Sequence, residues 1–358
     1  MKGGRPTAYG KIIIWLDRGP ETCHNGLGFV IRSSEAVLRG DHDRRLTTND
    51  EHAPSPDAKA SASRRQSLGE LPFVQFVAER EAIFEGVSMI RRQQGDVRYY
   101  TFESLEDSRF VQGVFTRLGG CSEGAFASLN VSVKVGDDPA RVAANHATIC
   151  RALGIRAEDV VTAQQVHGDH VAVVVAGDGG RTYPETDALI SNIPGLALML
   201  RFADCVPILL YAPQQGAVAL VHAGWQGTLL SIAAKAVRAL EAAYGCRPEG
   251  IRAGLGPAIG PCCFQVGPEV VAQVQATFDY AERVLSLPQA DGKMHWDLWR
   301  TNARQLYEAG VTQIEVARVC TRCNHHEWYS HRGENGHTGR FAVVCGLARA
   351  ATSPNAGL

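Results

Sequence analysis

Three short segments of this 358-residue chain carry side chains able to do chemistry. They are Gln164-Gln165-Val166-His167-Gly168, Ala203-Asp204-Cys205-Val206-Pro207 and Val221-His222-Ala223-Gly224-Trp225. In each, a metal-capable His or Cys follows a strand-like apolar run and sits beside small or turn-forming residues. Two imidazoles and one thiolate suit Zn2+, and three protein ligands leave a fourth position for water, the arrangement of a catalytic site. A water held there has its pKa lowered to roughly 7. The spacings, 38 and 17 residues, match no compact zinc motif. Two other readings of the same residues therefore stay open. His167 can be a surface-loop histidine, Cys205 a buried thiol and His222 a strand-end histidine. Alternatively, Cys205 is a nucleophile with His222 as its base.

Other residues are candidates for the surroundings of such a centre. Arg117 follows a strand and precedes Gly119-Gly120, where a guanidinium can bind phosphate in a bidentate fashion or form a structural ion pair. Asn130 suits a ribose hydroxyl or a turn cap. Asp187, in a Thr-Asp-Ala-Leu turn, suits orientation of a metal-bound histidine or acid/base work at the substrate. Gly254 to Cys263 is glycine-rich but lacks the lysine of a P-loop, so it reads as a tight loop lining a pocket. Cys262 and Cys263 read as ordinary thiols. Cys320-Thr-Arg-Cys323 is a C-x-x-C, which taken alone suggests a second zinc or a redox pair.

The elements that must position these residues are legible from periodicity. Strand-like runs cover Val111 to Thr116, Val171 to Val175, Ala197 to Leu200, Val206 to Tyr211, Ala217 to His222 and Phe341 to Leu347. Helical spacing covers Pro139 to Leu153, with proline at its start and Gly154 as a stop, and also Thr228 to Tyr244, Glu269 to Phe278 and Trp296 to Ala309. Strands and helices mixed in one continuous stretch predict an α+β fold, a single-domain sandwich of mixed β-sheets covered by helices. That domain is expected over 89–358. Residues 1–88, with an aperiodic stretch rich in Asp, Arg, Ser and Pro from Arg39 to Glu70, are expected to be a disordered or non-native extension.

Composition narrows the function classes. Apolar residues make up 45%, enough for a sizeable core, and 36 basic against 37 acidic residues give a net charge of -1. That balance predicts neither a nucleic-acid nor a membrane partner. No apolar run approaches the ~20 residues of a spanning helix, and Lys11 to Leu16 is too short for a signal-peptide core. A cytoplasmic location is expected. Ten cysteines in a chain this long point to thiols and metal ligands rather than a disulfide scaffold.

The three chemical segments occur in order with Phe115-Thr116-Arg117-Leu118-Gly119-Gly120, Ser128-Leu129-Asn130, Thr186-Asp187-Ala188-Leu189, Gly256-Pro257-Ala258-Ile259-Gly260, Cys320-Thr321 and Thr338-Gly339-Arg340. Together they resemble the multicopper-polyphenol-oxidase, or laccase-domain, family over roughly Tyr99 to Leu347. That family includes a bacterial peptidoglycan editing factor and purine nucleoside phosphorylases with adenosine deaminase activity. The resemblance implies one zinc on His167, Cys205 and His222, with copper as the alternative metal. It implies phosphorolysis of adenosine, inosine and methylthioadenosine and deamination of adenosine, with a purine nucleoside and phosphate as the small-molecule partners. On this reading Cys205, His222 and Asp187 are the catalytic residues, and Arg117, Asn130, Arg332 and Arg340 contact substrate or phosphate. The family's C-terminal pattern absorbs Cys320 and Cys323, which argues against a second metal. Alternative activities are removal of L-serine from a UDP-muramic acid precursor and copper-dependent oxidation of polyphenols. A multicopper oxidase needs paired His-x-His motifs, and this chain has none. Three positions depart from the family's pattern, each losing a cation: Gln226, His146, and Gly333 after His331-Arg332.

Overall fold

The structure is a computed structural model that describes residues 89–286 and 293–349. The expected extension over 1–88 lies outside the described residues.

Strict two-residue alternation builds two sheets and determines what each face touches. In β8 (Ala197–Phe202), Ala197 and Met199 face one core while Leu198, Leu200 and Phe202 face another. In β15 (Phe341–Leu347), Ala342 and Val344 join the first core, and Phe341, Val343, Cys345 and Leu347 join the second. Both strands are buried on both faces, which explains their nearly continuous apolar sequence. They belong to a seven-stranded sheet. In it, β8 pairs with β4 (Val160–Ala163), which leads on to β6 (Thr182–Tyr183). On the other side β15 pairs with β3 (Phe110–Phe115), followed by β2 (Val97–Thr101) and β1 (Ile90–Gln94). A separate pair joins β12 (Gln265–Val266) to β13 (Met294–His295), and the other large sheet has six strands. β9 (Val206–Ala212) and β10 (Ala217–Ala223) are central, flanked by β11 (Arg252–Leu255) and β14 (Gln313–Val316) on one side and β7 (Ala188–Ser191) and β5 (Val171–Val174) on the other.

The sheets stack face to face. Leu198, Leu200 and Val343 of one meet Leu189, Leu209, Tyr211, Val218 and Leu220 of the other in a shared core. The opposite face of the six-stranded sheet, with Ile208, Leu210, Ala219 and Val221, is covered by Ala233, Ala236, Val237 and Leu240 of a helix over Ile232–Tyr244 and by Leu306 of a helix over Leu298–Glu308. The outer face of the seven-stranded sheet is covered by Ile149 and Cys150 of α1 (Pro139–Leu153). The chain is therefore an α+β sandwich of two mixed sheets between helical layers, as expected from sequence.

Helix α1 begins and ends where its capping residues dictate. The Asp138 side chain accepts the Ala140 N–H, Pro139 fills the first turn, and Gly154 adopts the left-handed conformation at φ 65°. The helix expected as one piece from Thr228 to Tyr244 is two. A short α2 (Trp225–Leu229) is separated from α3 (Ile232–Tyr244) by Ser231, at φ 60°. The break has a tertiary cause. The Thr228 carbonyl accepts the Gln305 side-chain amide at 2.7 Å and its hydroxyl accepts the Asn302 amide at 3.0 Å, both from the helix over Leu298–Glu308. Sequence periodicity carries no trace of these contacts. Among the described residues no helix is long and apolar enough to cross a membrane.

Candidate metal centre

Strand direction brings the three segments to one edge of the sandwich. β4 runs parallel to β8, so the His167 loop and the Cys205 turn leave the first sheet at the same end. β9 and β10 are antiparallel, with Val206 opposite Ala223, so Cys205 at the start of one strand meets His222 at the end of the other. His222 shares its face with Val218 and Leu220 and therefore points between the sheets, against the Phe202 ring at 5.4 Å. The ligand atoms of His167, Cys205 and His222 all lie within 4.8 Å of one another. The two imidazoles stand edge to face, 4.9 Å between centroids.

Asp187 holds this arrangement from behind. It is fully buried just before β7, where its carbonyl accepts the His222 N–H at 2.7 Å. Its carboxylate accepts the backbone N–H groups of Val166, His167 and Gly168 at 3.2, 3.0 and 2.8 Å. The same carboxylate lies 2.8 Å from His222 Nδ1, which leaves Nε2 for a metal. One side chain thus shapes the His167 loop and sets the orientation of His222. His167 itself sits at φ 63°, a left-handed conformation that this bonding maintains against its cost.

Asp204 is a second organiser, also left-handed at φ 84°. Its carboxylate accepts the Thr321 and Ser330 hydroxyls at 2.6 and 2.7 Å and the Arg332 N–H at 2.6 Å. Its carbonyl accepts the Ile259 N–H at 2.9 Å. Three distant chain segments are therefore drawn to the Cys205 turn.

Charge follows from proximity. Burial alone would raise the Cys205 thiol, but the His222 charge and hydrogen bonds from both imidazoles outweigh it and hold the thiol at about 6. Burial alone would lower His222, but the Cys205 thiolate and the Asp187 carboxylate outweigh that and push it up to about 9. Without metal, the two shifts together favour a thiolate–imidazolium couple.

Gly224 makes the approach possible. A Cβ at this position would lie 2.8 Å from His167 Cδ2 and 3.2 Å from Cys205 Sγ. Gly224→Ala is expected to push both ligands apart and weaken metal binding by at least about 10-fold, the loss seen when a metal site's support is disturbed. A competition titration against a chelator measures it, and unchanged affinity would refute the steric argument.

The donors open onto a cavity of about 520 Å3, within the range for small-molecule sites. Lys134, Arg201, Arg332, Arg340 and His331 line it, along with Trp225, Ile259 and Phe264, and among the described residues the only acid on the wall is Asp204. Arg201 and Arg340 donate to backbone carbonyls, Arg201 to Ala163 and Arg340 to Thr338 and Gly339. Burial lowers the pKa of both guanidinium groups.

The remaining sequence candidates divide. Arg332 and Arg340 reach the cavity, with Arg332 lying over the Phe264 ring at 5.5 Å. Arg117 does not line it. Its guanidinium binds Glu334 at 3.0 Å, donates to the Ala127 and His325 carbonyls and covers Tyr329. Asn130 is also away from the wall, fully buried, where its oxygen accepts the Arg340 N–H at 2.8 Å and its amide donates to Asp137. Asp187 lies behind the His-Cys-His cluster and does not line the cavity. His146 bonds the Val131 carbonyl at 3.0 Å and does not line the wall. Arg201 and Lys134 were not anticipated. Arg201 carries a readable signal: an arginine inside the apolar strand Ala-Leu-Met-Leu-Arg-Phe, four residues before Cys205.

The family model described as multi-copper polyphenol oxidoreductase laccase matches residues 111–348. The purine nucleoside phosphorylase YlmD of Geobacillus stearothermophilus is 37% identical over 245 residues, which cover 66% of this chain and 89% of that protein. A protein named adenosine deaminase RL5, from an unknown prokaryotic organism, is 36% identical over 252 residues, covering 66% of this chain and 95% of its own length. The crystal structure of YlmD from Geobacillus stearothermophilus matches with a TM-score of 0.67 and 35% identity, covering 73% of this chain and 100% of that one. A family model matching most of the chain, a relative 37% identical and a solved structure 35% identical with a TM-score of 0.67 show that the chain belongs to the multi-copper polyphenol oxidoreductase laccase family.

Proposed function

We propose that this chain is a purine nucleoside phosphorylase, acting on adenosine, inosine and methylthioadenosine, that also deaminates adenosine, with a catalytic zinc on His167, Cys205 and His222. The supporting observation is that the three donors face a cavity of nucleoside size walled by four cations and one acid. The names of the relatives, purine nucleoside phosphorylase and adenosine deaminase, supply the substrate class. A donor set of two nitrogens and one sulfur, a thiol held as thiolate and a carboxylate fixing one imidazole fit Zn2+. Bound there, zinc would supply Lewis acidity toward water or a purine substituent.

The chain's own residues account for the rest. Arg201, Arg332, Arg340 and Lys134 hold phosphate for attack on C1′ as the base departs. Phe264, Ile259 and Trp225 give the purine apolar surface. His331 is kept mainly neutral, with burial lowering it, so it is able to accept and return a proton at the wall. His331→Ala is expected to slow deamination by about 100-fold while leaving metal content intact. An unchanged rate would assign proton transfer elsewhere.

Gln226 stands on the cavity wall where the family pattern carries arginine. Gln226→Arg is expected to lower the KM for phosphate by up to about 10-fold, as a charge-assisted contact is added. An unaltered phosphate KM would remove this position from anion binding.

The decisive assay supplies adenosine with and without phosphate to the zinc-loaded chain. Adenine appearing only with phosphate, and inosine appearing without it, is the expected result. Silence toward every purine nucleoside would overturn the reading.

A further inference from the structure

The sequence offered Cys262-Cys263 as ordinary thiols and Cys320-x-x-Cys323 as a separate motif without a metal. The structure places all four sulfurs within 4.8 Å of one another. Cys323 Sγ lies 3.6 Å from Cys262 Sγ and 3.4 Å from Cys263 Sγ. These spacings are far beyond the ~2.05 Å of a disulfide, and none of the four is in one. They are close to the ~3.8 Å edge of a tetrahedron whose sulfurs each lie ~2.3 Å from a central zinc.

Local structure holds the group in place. Ala258 bridges to Cys320, with the Ala258 N–H donating to the Val319 carbonyl at 3.2 Å and the Thr321 N–H to the Ala258 carbonyl at 2.9 Å. The Gly260 N–H donates to Cys320 Sγ at 3.3 Å, a bond that favours a thiolate there. Cys320 is buried and Cys262 exposed, so an ion has both an enclosed bed and an entry side.

We propose that Cys262, Cys263, Cys320 and Cys323 form a second, structural zinc site that clamps the loop after β11 to the segment after β14. Four thiolates close the coordination sphere, which is the structural rather than the catalytic arrangement. The clamp joins positions about 60 residues apart, so it restricts the unfolded chain much as a long-range cross-link does. It also backs the cavity wall, because Ile259 and Phe264 flank the first cysteine pair. The site is independent of the nucleoside reading.

The test uses the full chain, loaded with zinc or cobalt, beside Cys205→Ala and the double variant Cys262→Ser/Cys323→Ser. Elemental analysis is expected to find two zinc ions per chain, and one in either variant. Cobalt-loaded Cys205→Ala is expected to show the intense sulfur-to-metal and d–d bands of an all-thiolate tetrahedral site. The double variant is expected to melt lower by on the order of 10 °C. A chain with one zinc that survives Cys205→Ala and shows the all-thiolate spectrum would support the clamp while removing the catalytic metal. Metal-free Cys205→Ala overturns the clamp, whether its four thiols are then found reduced or disulfide-linked. If the double variant fails to fold, the cobalt spectrum of Cys205→Ala alone decides.

Discussion

Asp187→Ala is expected to cost about 3–5 kcal/mol of stability and to weaken metal binding by about 10–100-fold. Removing the buried carboxylate leaves the N–H groups of Val166, His167 and Gly168, in a partly exposed loop, without their acceptor. It also releases His222, whose ring is then free to turn. The backbone at His167 loses what maintains its left-handed conformation. Asp187→Asn separates the two contributions. An amide oxygen still accepts some of these bonds, so stability is expected to recover more than metal affinity, which depends on the charge behind the imidazole. Denaturant unfolding and chelator competition measure the two effects. A full-affinity Asp187→Ala would refute the positioning role.

Cys205→Ala is expected to abolish zinc binding at the centre and to lower nucleoside turnover by at least about 1,000-fold, since two imidazoles alone make a poor zinc site. The same ligands predict a pH dependence. His222 is raised to about 9, so near neutral pH the metal must displace its proton. Affinity is therefore expected to fall as pH falls below about 9. The fall steepens below about 6, where Cys205 also takes up a proton. Chelator competition at acid, neutral and mildly basic pH measures the slope. Affinity independent of pH would contradict the thiolate–imidazolium couple. Cys205→Ala that keeps both metal and activity would sink the proposed centre.

Local features were legible because they are short-range. Asp138, Pro139 and Gly154 delimit α1 through groups a few residues apart. Nearly continuous apolar runs mark β8, β9, β10 and β15 because each strand faces a core on both sides. Asp187 illustrates partial legibility. Its turn position left orientation and proton transfer both open, and its burial behind His222 favours orientation. Arg117 shows the opposite. A guanidinium before a Gly-Gly turn has the chemistry to bind phosphate, yet Glu334, more than two hundred residues away in sequence, occupies it.

What the sequence by itself determined is most of the strands and helices and, through ordered motifs, the choice of His167, Cys205 and His222 as candidate ligands, which the fold gathers into one cluster. What only the tertiary structure decided is which charged groups share one space. Arg201 and Lys134 enter the cavity, Asn130 withdraws to hold Arg340, Gln305 interrupts the helix at Ser231, and two cysteine pairs about 60 residues apart become one cluster. The physical reason is common to all four. Periodicity and capping depend on neighbours along the chain, whereas ion pairing, ligand gathering and carbonyl capture depend on strand order and loop paths that bring distant residues within a few ångströms.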